Sequence, residues 1–293
     1  MGRMKTSKSD RIYMITCYCI SAFVTAITLY PIIYILSASL SDPYAVMRGE
    51  VWIFPKGINL DAYIRVLNNP EVWISYYNTL WYVIIGTTLS VILTAMTAYP
   101  LARKKFAGRK VVTILLTFTM FFSGGLIPLY IVIQKLGLIN SRLSIILPCT
   151  IITYYLIIMR TFFEGIPESI HESATLDGYS DVGIFIRIVI PLSKPIIAVM
   201  SIFYAVGLWN SYLYALLFLN SEKMYPIQML LRKILIQLDD AYMLTDVVDA
   251  KKEFLAQTVR YATIIVATVP ILCIYPFFQK HFAKGGMIGA IKE

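Results

Sequence analysis

The side chains with the most chemical potential gather in one polar stretch, from Arg160 to Gly178 and on to Pro195. It carries Glu164, Glu168, Glu172 and Asp177, the hydroxyls of Ser173 and Thr175, and His171. Acid–base, nucleophilic or metal chemistry needs several such groups to converge. The chain holds only two histidines, His171 and His281, far apart in sequence. No Ser/His/Asp set, paired carboxylates or Cys/His metal spacing is visible. The four cysteines, Cys17, Cys19, Cys149 and Cys273, lie inside apolar runs, where Cys behaves as a small hydrophobe. What remains for the polar stretch is recognition: a carboxylate on a helix can meet a basic residue of another protein.

Local signals say what holds these groups. Pro167 suits the first helical position and Glu168 favours the positive helix start. Gly178 suits the position just past a helix end. Between them fits a short helix of about three turns. Ile166, Ile170 and Ala174 repeat at four-residue spacing and form an apolar side, while Glu168, Glu172 and Thr175 lie on a polar one. Ser180 starts a second helix with the stripe Ile184, Phe185, Ile188 and Val189. Pro191 and Pro195 end it and redirect the chain. The first helix has a small, flat middle at Ser173 and Ala174, with Glu172 beside it. Helix logic alone fits two roles equally, an interfacial cover or a docking surface.

The elements around this stretch are membrane spans. Of 293 residues, 58% are hydrophobic and only 15% charged. Mean hydropathy is +0.70. Soluble domains carry roughly 45–50% apolar and 25% charged residues. Runs near 12–37, 73–99, 111–134, 143–160, 195–219 and 261–279 each approach the ~20 residues that a spanning helix needs. Their one charged residue is Arg160, at the end of the fourth. The first run is too long for a signal-peptide core and reads as a retained helix bent near Pro31. The whole, 1–293, reads as a single transmembrane domain, with 161–194 as its large connection.

Net charge is +9, and its placement sets orientation. Arg3, Lys5, Lys8 and Arg11 start the chain. Arg103, Lys104, Lys105, Arg109 and Lys110 follow the second span, and Lys280, Lys284 and Lys292 lie in the tail. Six spans put all three groups on one side, which the positive-inside rule makes the cytoplasm, with both termini inside. The same rule accounts for the positive charge without nucleic acid. Segments 41–72 and 220–260 then face outside. The second holds an amphipathic helix at 229–235, followed by Asp239, Asp240, Asp246 and Asp249, a docking surface or simply a solvated face.

Ion-coupled carriers place ionisable groups inside the membrane, and these spans lack them. No G-x-x-x-x-G-K-[ST] loop is present to hold ATP phosphates. A driven transporter of this kind must take its energy from another subunit. Aromatic faces and hydrogen-bonding groups in or beside the spans could line a pathway for a polar solute. Candidates are Phe121, Phe122 and Ser123 before Gly124 and Gly125, then Tyr204, Trp209, Asn210 and Tyr212, and Tyr76, Tyr77 and Asn78. Helix packing and the interfacial aromatic belt explain single aromatics equally well. Asn210 must bond to something wherever it sits in a span.

The polar stretch also carries the pattern E-A-A-x3-G-x9-I-x-L-P. It stands as Glu172-Ser173-Ala174, Gly178, Ile188 and Ile190-Pro191, with Ser173 and Ile190 as mild departures. This resembles the membrane subunits of binding-protein-dependent ABC importers. Asp177-Gly178, Pro191 to Pro195, Leu208-Trp209-Asn210 and the ending 279–292 are similar to the carbohydrate branch that serves complex oligosaccharides of the alginate or pectin type.

The resemblance implies an all-α, six-helix, MetI-like permease with cytoplasmic coupling helices. It implies a multi-pass location in the bacterial inner membrane. Implied partners are a homologous second permease, two ATPase subunits, an extracytoplasmic solute-binding protein, an oligosaccharide and membrane lipid. ATP and Mg would belong to the ATPase, with no cofactor in this chain. Glu168, Glu172, Ser173, Ala174, Thr175, Leu176, Asp177 and Gly178 would dock the ATPase. Glu172 would pair with a basic residue, and Ala174 and Leu176 would fill a groove. The rivals are an ABC permease for peptides, amino acids or another small solute, and a stand-alone channel or secondary carrier.

Overall fold

In hydrocarbon every backbone N–H and C=O must be satisfied within its own element, so apolar runs fold as helices. The computed structural model describes residues 8–243 and 256–273, with side chains for 9–236 and 256–273. The basic residues Arg3 and Lys5, Asp246 and Asp249, the side chains of Lys8, Asp239 and Asp240, and the tail with Lys280, His281, Lys284 and Lys292 lie outside what is described. The described residues are helical with no strand.

Helix α1 spans Lys8–Ser39 and includes Pro31. Two short helices follow, α2 at Pro43–Met47 and α3 at Asp61–Leu67. Helix α4 covers Pro70–Ala102. The run 111–134 folds as two pieces, α5 at Arg109–Phe121 and α6 at Leu126–Lys135, bent by 116° across Phe122–Gly125. The fourth run is also broken. Helix α7 at Leu143–Ile146 passes through a tight turn into α8 at Thr153–Glu164, with a 50° bend.

The polar connection holds α9 at Glu168–Leu176, then α10 at Asp181–Ile184, a π-turn at Phe185–Val189 and α11 at Ile190–Leu192. A bend of 81° at Ser193 leads into α12 at Lys194–Trp209. The fifth run does not continue as one helix. The Asn210 amide donates to the Val206 carbonyl at 2.9 Å, and α13 resumes at Tyr212–Phe218. Such a side chain competes with the helical ladder at the break. The amphipathic segment 229–235 lies in α14, Ile227–Met243, and α15 covers Ala256–Cys273. Three helices, α1, α4 and α15, are each long and apolar enough to cross a membrane; counting each of three bent pairs as one span brings the number among the described residues to as many as six.

The chain divides into two units, 1–69 with 233–268 and 70–232 with 269–293. In the first, Ala38, Val46 and Val51 form a small core flanked by Tyr34 and Tyr261. Every candidate site residue falls in the second. Its main core joins α4 (Ala95, Ala98, Tyr99, Leu101), α8 (Leu156, Met159, Phe163) and α12 (Ile196, Met200, Tyr204) with Ala174, Ile184 and Val189 from the polar connection. Close approach of α4 and α12 needs a small residue. A Cβ on Gly86 would stand 2.6 Å from Leu208 Cδ1.

Candidate functional site

The α9 helix begins one residue later than its sequence suggested. Pro167, at φ −57° and ψ 135°, stands just before it, so the helix starts at Glu168, one residue later than the proline. At its other end the Gly178 N–H donates to the Thr175 carbonyl and the Tyr179 N–H to the Ala174 carbonyl, both at 3.0 Å. This pair of bonds closes a helix only if the intervening residue is left-handed, and Gly178 has φ +83°. Ser180 then caps α10, its hydroxyl accepting from the Gly183 N–H at 3.2 Å. In a regular α-helix Pro191 would clash with the Arg187 carbonyl, and the π-turn over Phe185–Val189 takes up that misfit.

Helical periodicity divides α9 into two faces. His171 and Ala174 point inward, each 4% exposed, with Ile166 and Ile170 half-buried beside them. Ala174 packs into this chain's own core and also lines a shallow depression beside Ser173, so most of its surface is spent within the chain. Its methyl lets α9 sit close against the α8–α12 core. Glu172, Ser173, Thr175, Asp177 and Gly178 are exposed, and Leu176 is 89% exposed. Its neighbours on this face are polar, so Leu176 is the one large apolar side chain that α9 itself presents outward. A shallow depression of about 320 Å³ beside it is lined by Ser169, Ser173, Asp177 and Tyr179, among others.

The inner face of α9 is anchored by charge. Glu168 lies 3.6 Å from Arg103 at the end of α4. The His171 ring sits 6.1 Å from that of Tyr99. Burial pushes the His171 imidazole below its ordinary value of 6.5, and Arg103 adds to the fall; Glu168 and Asp181 oppose it. One turn before α9, Glu164 binds both Arg109 and Arg160, the latter at 2.7 Å. Arg160 also donates to the Leu101 carbonyl at 3.1 Å and the Thr113 hydroxyl at 3.3 Å. The ends of α4 and α8 and the start of α5 are therefore tied together next to α9. Sequence reading did not find this network. Its signal was present in one arginine closing an apolar run, an acid four residues on, and the basic segment 103–110.

The pathway candidates separate. Tyr204 is buried, its hydroxyl paired with Thr94 at 2.7 Å and accepting from the Ile152 N–H at 3.2 Å. Trp209 is buried too. Both serve packing within this chain, which corrects their place among cavity-facing groups. Phe121, Phe122, Asn210 and Tyr212 are exposed, although the Asn210 amide is bonded back into its own helix. Asn78 is 1% exposed and structural. It donates to the carbonyls of Lys223 and Tyr225 at 2.8 and 3.2 Å and accepts from Arg142 at 2.7 Å. That arginine stacks over Trp81 and Tyr77 at 5.0 and 5.8 Å. This cluster pins the segment 220–227 to α4. Among the described residues no group of three metal-ligating side chains converges.

The chain as a whole has known counterparts. The family model described as "Binding-protein-dependent transport system inner membrane component" matches residues 90–285. The chain belongs to that family. It is 39% identical to Protein LplC of Bacillus subtilis (strain 168), over 99% of this chain and 98% of that protein. It is also 39% identical to the polygalacturonan/rhamnogalacturonan transport system permease protein YtcP of the same organism, over 97% of this chain and 99% of that one. A crystal structure of a bacterial ABC transporter involved in the import of the acidic polysaccharide alginate contains a similar chain. That chain superposes with a TM-score of 0.86 at 34% identity, over 96% of this chain and 100% of its own length. The chain is thus a membrane transport permease of the MetI-like all-α class. Family members of this type work with a second permease, an ATPase and a solute-binding protein.

Proposed function

We propose that this chain is one of two permease subunits of an ATP-driven importer for oligosaccharides cut from acidic polysaccharides of the alginate or pectin type. The observation that carries the reading is the exposed face of α9. Glu172, Ser173, Thr175, Leu176 and Asp177 stand on or beside one small-residue surface, and Gly178 sets the exit from it. A separate ATPase subunit docks there. Leu176 enters its groove and Glu172 meets a basic side chain. Glu168 contributes by tying α9 to Arg103 rather than by touching the partner.

Closure of the ATPase pair on ATP with Mg pulls α9, and the core beneath it moves α4, α8 and α12 toward the outward-facing state. Hydrolysis resets them. The ATPase can drive this only because it binds one of the two states more tightly. A solute-binding protein delivers sugar on the opposite face. Phe121, Phe122, Asn210 and Tyr212 offer aromatic faces and an amide to the passing substrate, in a cavity shared with the second permease. The acidic-sugar preference is supported by the names of two similar proteins, one for polygalacturonan/rhamnogalacturonan and one for alginate. The basic segment 103–110 supports placing α9 and both termini on the cytoplasmic side of the inner membrane.

The test is affinity purification of the full chain from its native membrane with mass spectrometry of what accompanies it. An ATPase and a second permease are expected, and a binding protein recovered with them identifies the sugar by direct binding. A chain that emerges stable and alone, and that moves solute in vesicles without ATP, would replace this reading with that of a stand-alone carrier.

A further inference from the structure

Arg142 is a half-buried cation without a counter-ion. It stands just before α7 and packs on the first half of α4, far along that helix from Arg103 and α9. Near α9, Arg103, Arg109 and Arg160 each meet a glutamate. Arg142 meets no carboxylate among the described residues. A charge drawn partly out of water loses hydration that an opposite charge can return. The surroundings hold this guanidinium in place without supplying one. Asn78 spends its amide hydrogens on the Lys223 and Tyr225 carbonyls, which turns its Oδ1 to accept from Arg142 Nη2 at 2.7 Å. The guanidinium carbon lies 5.0 Å from the ring centre of Trp81 and 5.8 Å from that of Tyr77. Nε and Nη1 of Arg142 make no hydrogen bond among the described residues, and neither is sealed inside the chain as Nη1 of Arg103 is. Tyr77 beside them is 63% exposed.

We infer that Arg142 and Tyr77 bind the acidic unit of the sugar where it enters the pathway. A carboxylate takes the free N–H groups in the guanidinium plane, and the apolar face of the sugar ring lies on Tyr77. A neutral sugar gains only the second contact, so the site selects for acid. Its place suits an entry point. Asn140, two residues before Arg142, donates from its N–H to the Phe218 carbonyl at 2.7 Å, and its side chain accepts from the N–H groups of Asn220 and Ser221 at 3.0 Å. Arg142 is thereby held near the Phe218 end of α13, and the exposed Tyr212 and Asn210 lie at the other end of that helix. Sugar arriving at the face opposite α9 meets Arg142 first. The inference rests on the acidic-sugar reading above and names the residue that recognises the acid.

The test uses the purified complex containing the full chain, in nanodiscs. The probes are tri-galacturonate, tri-mannuronate and the methyl ester of each. Phenylglyoxal is added, and modified arginines are mapped by mass spectrometry. One of the acids should slow modification of Arg142 several-fold and its ester should not, while the exposed Arg48 should react equally throughout. Calorimetry gives the second readout. Arg142→Gln should weaken binding of the acid roughly tenfold to a hundredfold, the range that a hydrogen bond to a charged group spans. Arg142→Lys, which keeps the charge, should recover part of that loss. Esterifying the sugar should weaken binding to wild type by a similar factor and binding to Arg142→Gln by little. A role for Arg142 in packing alone would leave the two changes additive. No protection of Arg142 by an acid that binds, or equal losses on esterification in wild type and Arg142→Gln, would overturn the site alone. Binding of neither acid to wild type would overturn the acidic-sugar reading and the site with it.

Discussion

Substitution at Leu176 separates docking from folding. That residue is 89% exposed, at the last turn of α9. Leu176→Ala therefore removes little packing from the isolated permease, and alanine is the stronger helix former. Stability of the permease should change by no more than about 0.5 kcal/mol, as for surface positions generally. Docking should respond differently. If the side chain is covered by the ATPase, truncation removes most of its buried carbon. At about 0.8 kcal/mol per buried methylene, that amounts to about 2 kcal/mol. At 1.4 kcal/mol per tenfold, the ATPase should bind about thirtyfold more weakly. The assay is titration of the purified ATPase onto the permease pair in nanodiscs, with a thermal melt of each permease sample. An unchanged melt with a large loss of affinity is the expected pairing. Wild-type affinity in Leu176→Ala would refute the reasoning, because no other docking residue presents comparable apolar area.

Three further outcomes follow from the same geometry. Gly178→Ala forces a left-handed alanine, at about 1–2 kcal/mol, so the melting temperature should fall; Gly178→Asn should be milder, since asparagine tolerates that conformation. Gly86→Ala should couple to Leu208, whose Cδ1 the new Cβ would meet: in a double-variant cycle with Leu208→Ala the two changes should depart from additivity by about 0.5–3 kcal/mol, and additive effects would remove this contact from the account. His171 is depressed in the folded state by burial first and by Arg103 second, so the unfolded chain takes up its proton at higher pH. Stability contributed here is complete above the ordinary value of 6.5 and is lost as pH falls below it through the folded pKa. His171→Phe, which keeps a ring against Tyr99, should flatten that part of the pH–melting curve; an unchanged curve would remove His171 from the account.

Much of the fold was legible because a membrane permits few solutions. Long apolar runs had to be helices, and proline, glycine and serine at 167, 178 and 180 marked the short ones between them. Gly124 and Gly125 marked the bend in the third run, as glycines can. The break at 210–211 was harder to read, because hydropathy is blind to it and its flanks are apolar enough to continue a span. The 81° turn at Ser193 is set by packing of α12 on α4 as well as by the neighbouring prolines. The short helix α9 was legible from its proline and glycine, but not which side faced in. Four-residue spacing put Ala174 among the apolar positions, yet only the packed core shows that His171 joins it there while Leu176 stays outside. For the aromatics a sequence cannot distinguish packing from lining. Tyr204 has a hydroxyl that reads as a sugar contact, and Thr94 on a distant helix is what occupies it.

The central claim is that an ATPase sits on the exposed face of α9. Site-directed photo-crosslinking tests it directly. A photo-crosslinking amino acid is placed at Ser173 and, as a control, at Ile58, both exposed. After irradiation of native membranes, the probe at Ser173 should join the chain to an ATP-hydrolysing subunit, and the probe at Ile58 should not. Absence of that adduct at Ser173, in membranes where the ATPase co-purifies with the chain, would contradict the claim.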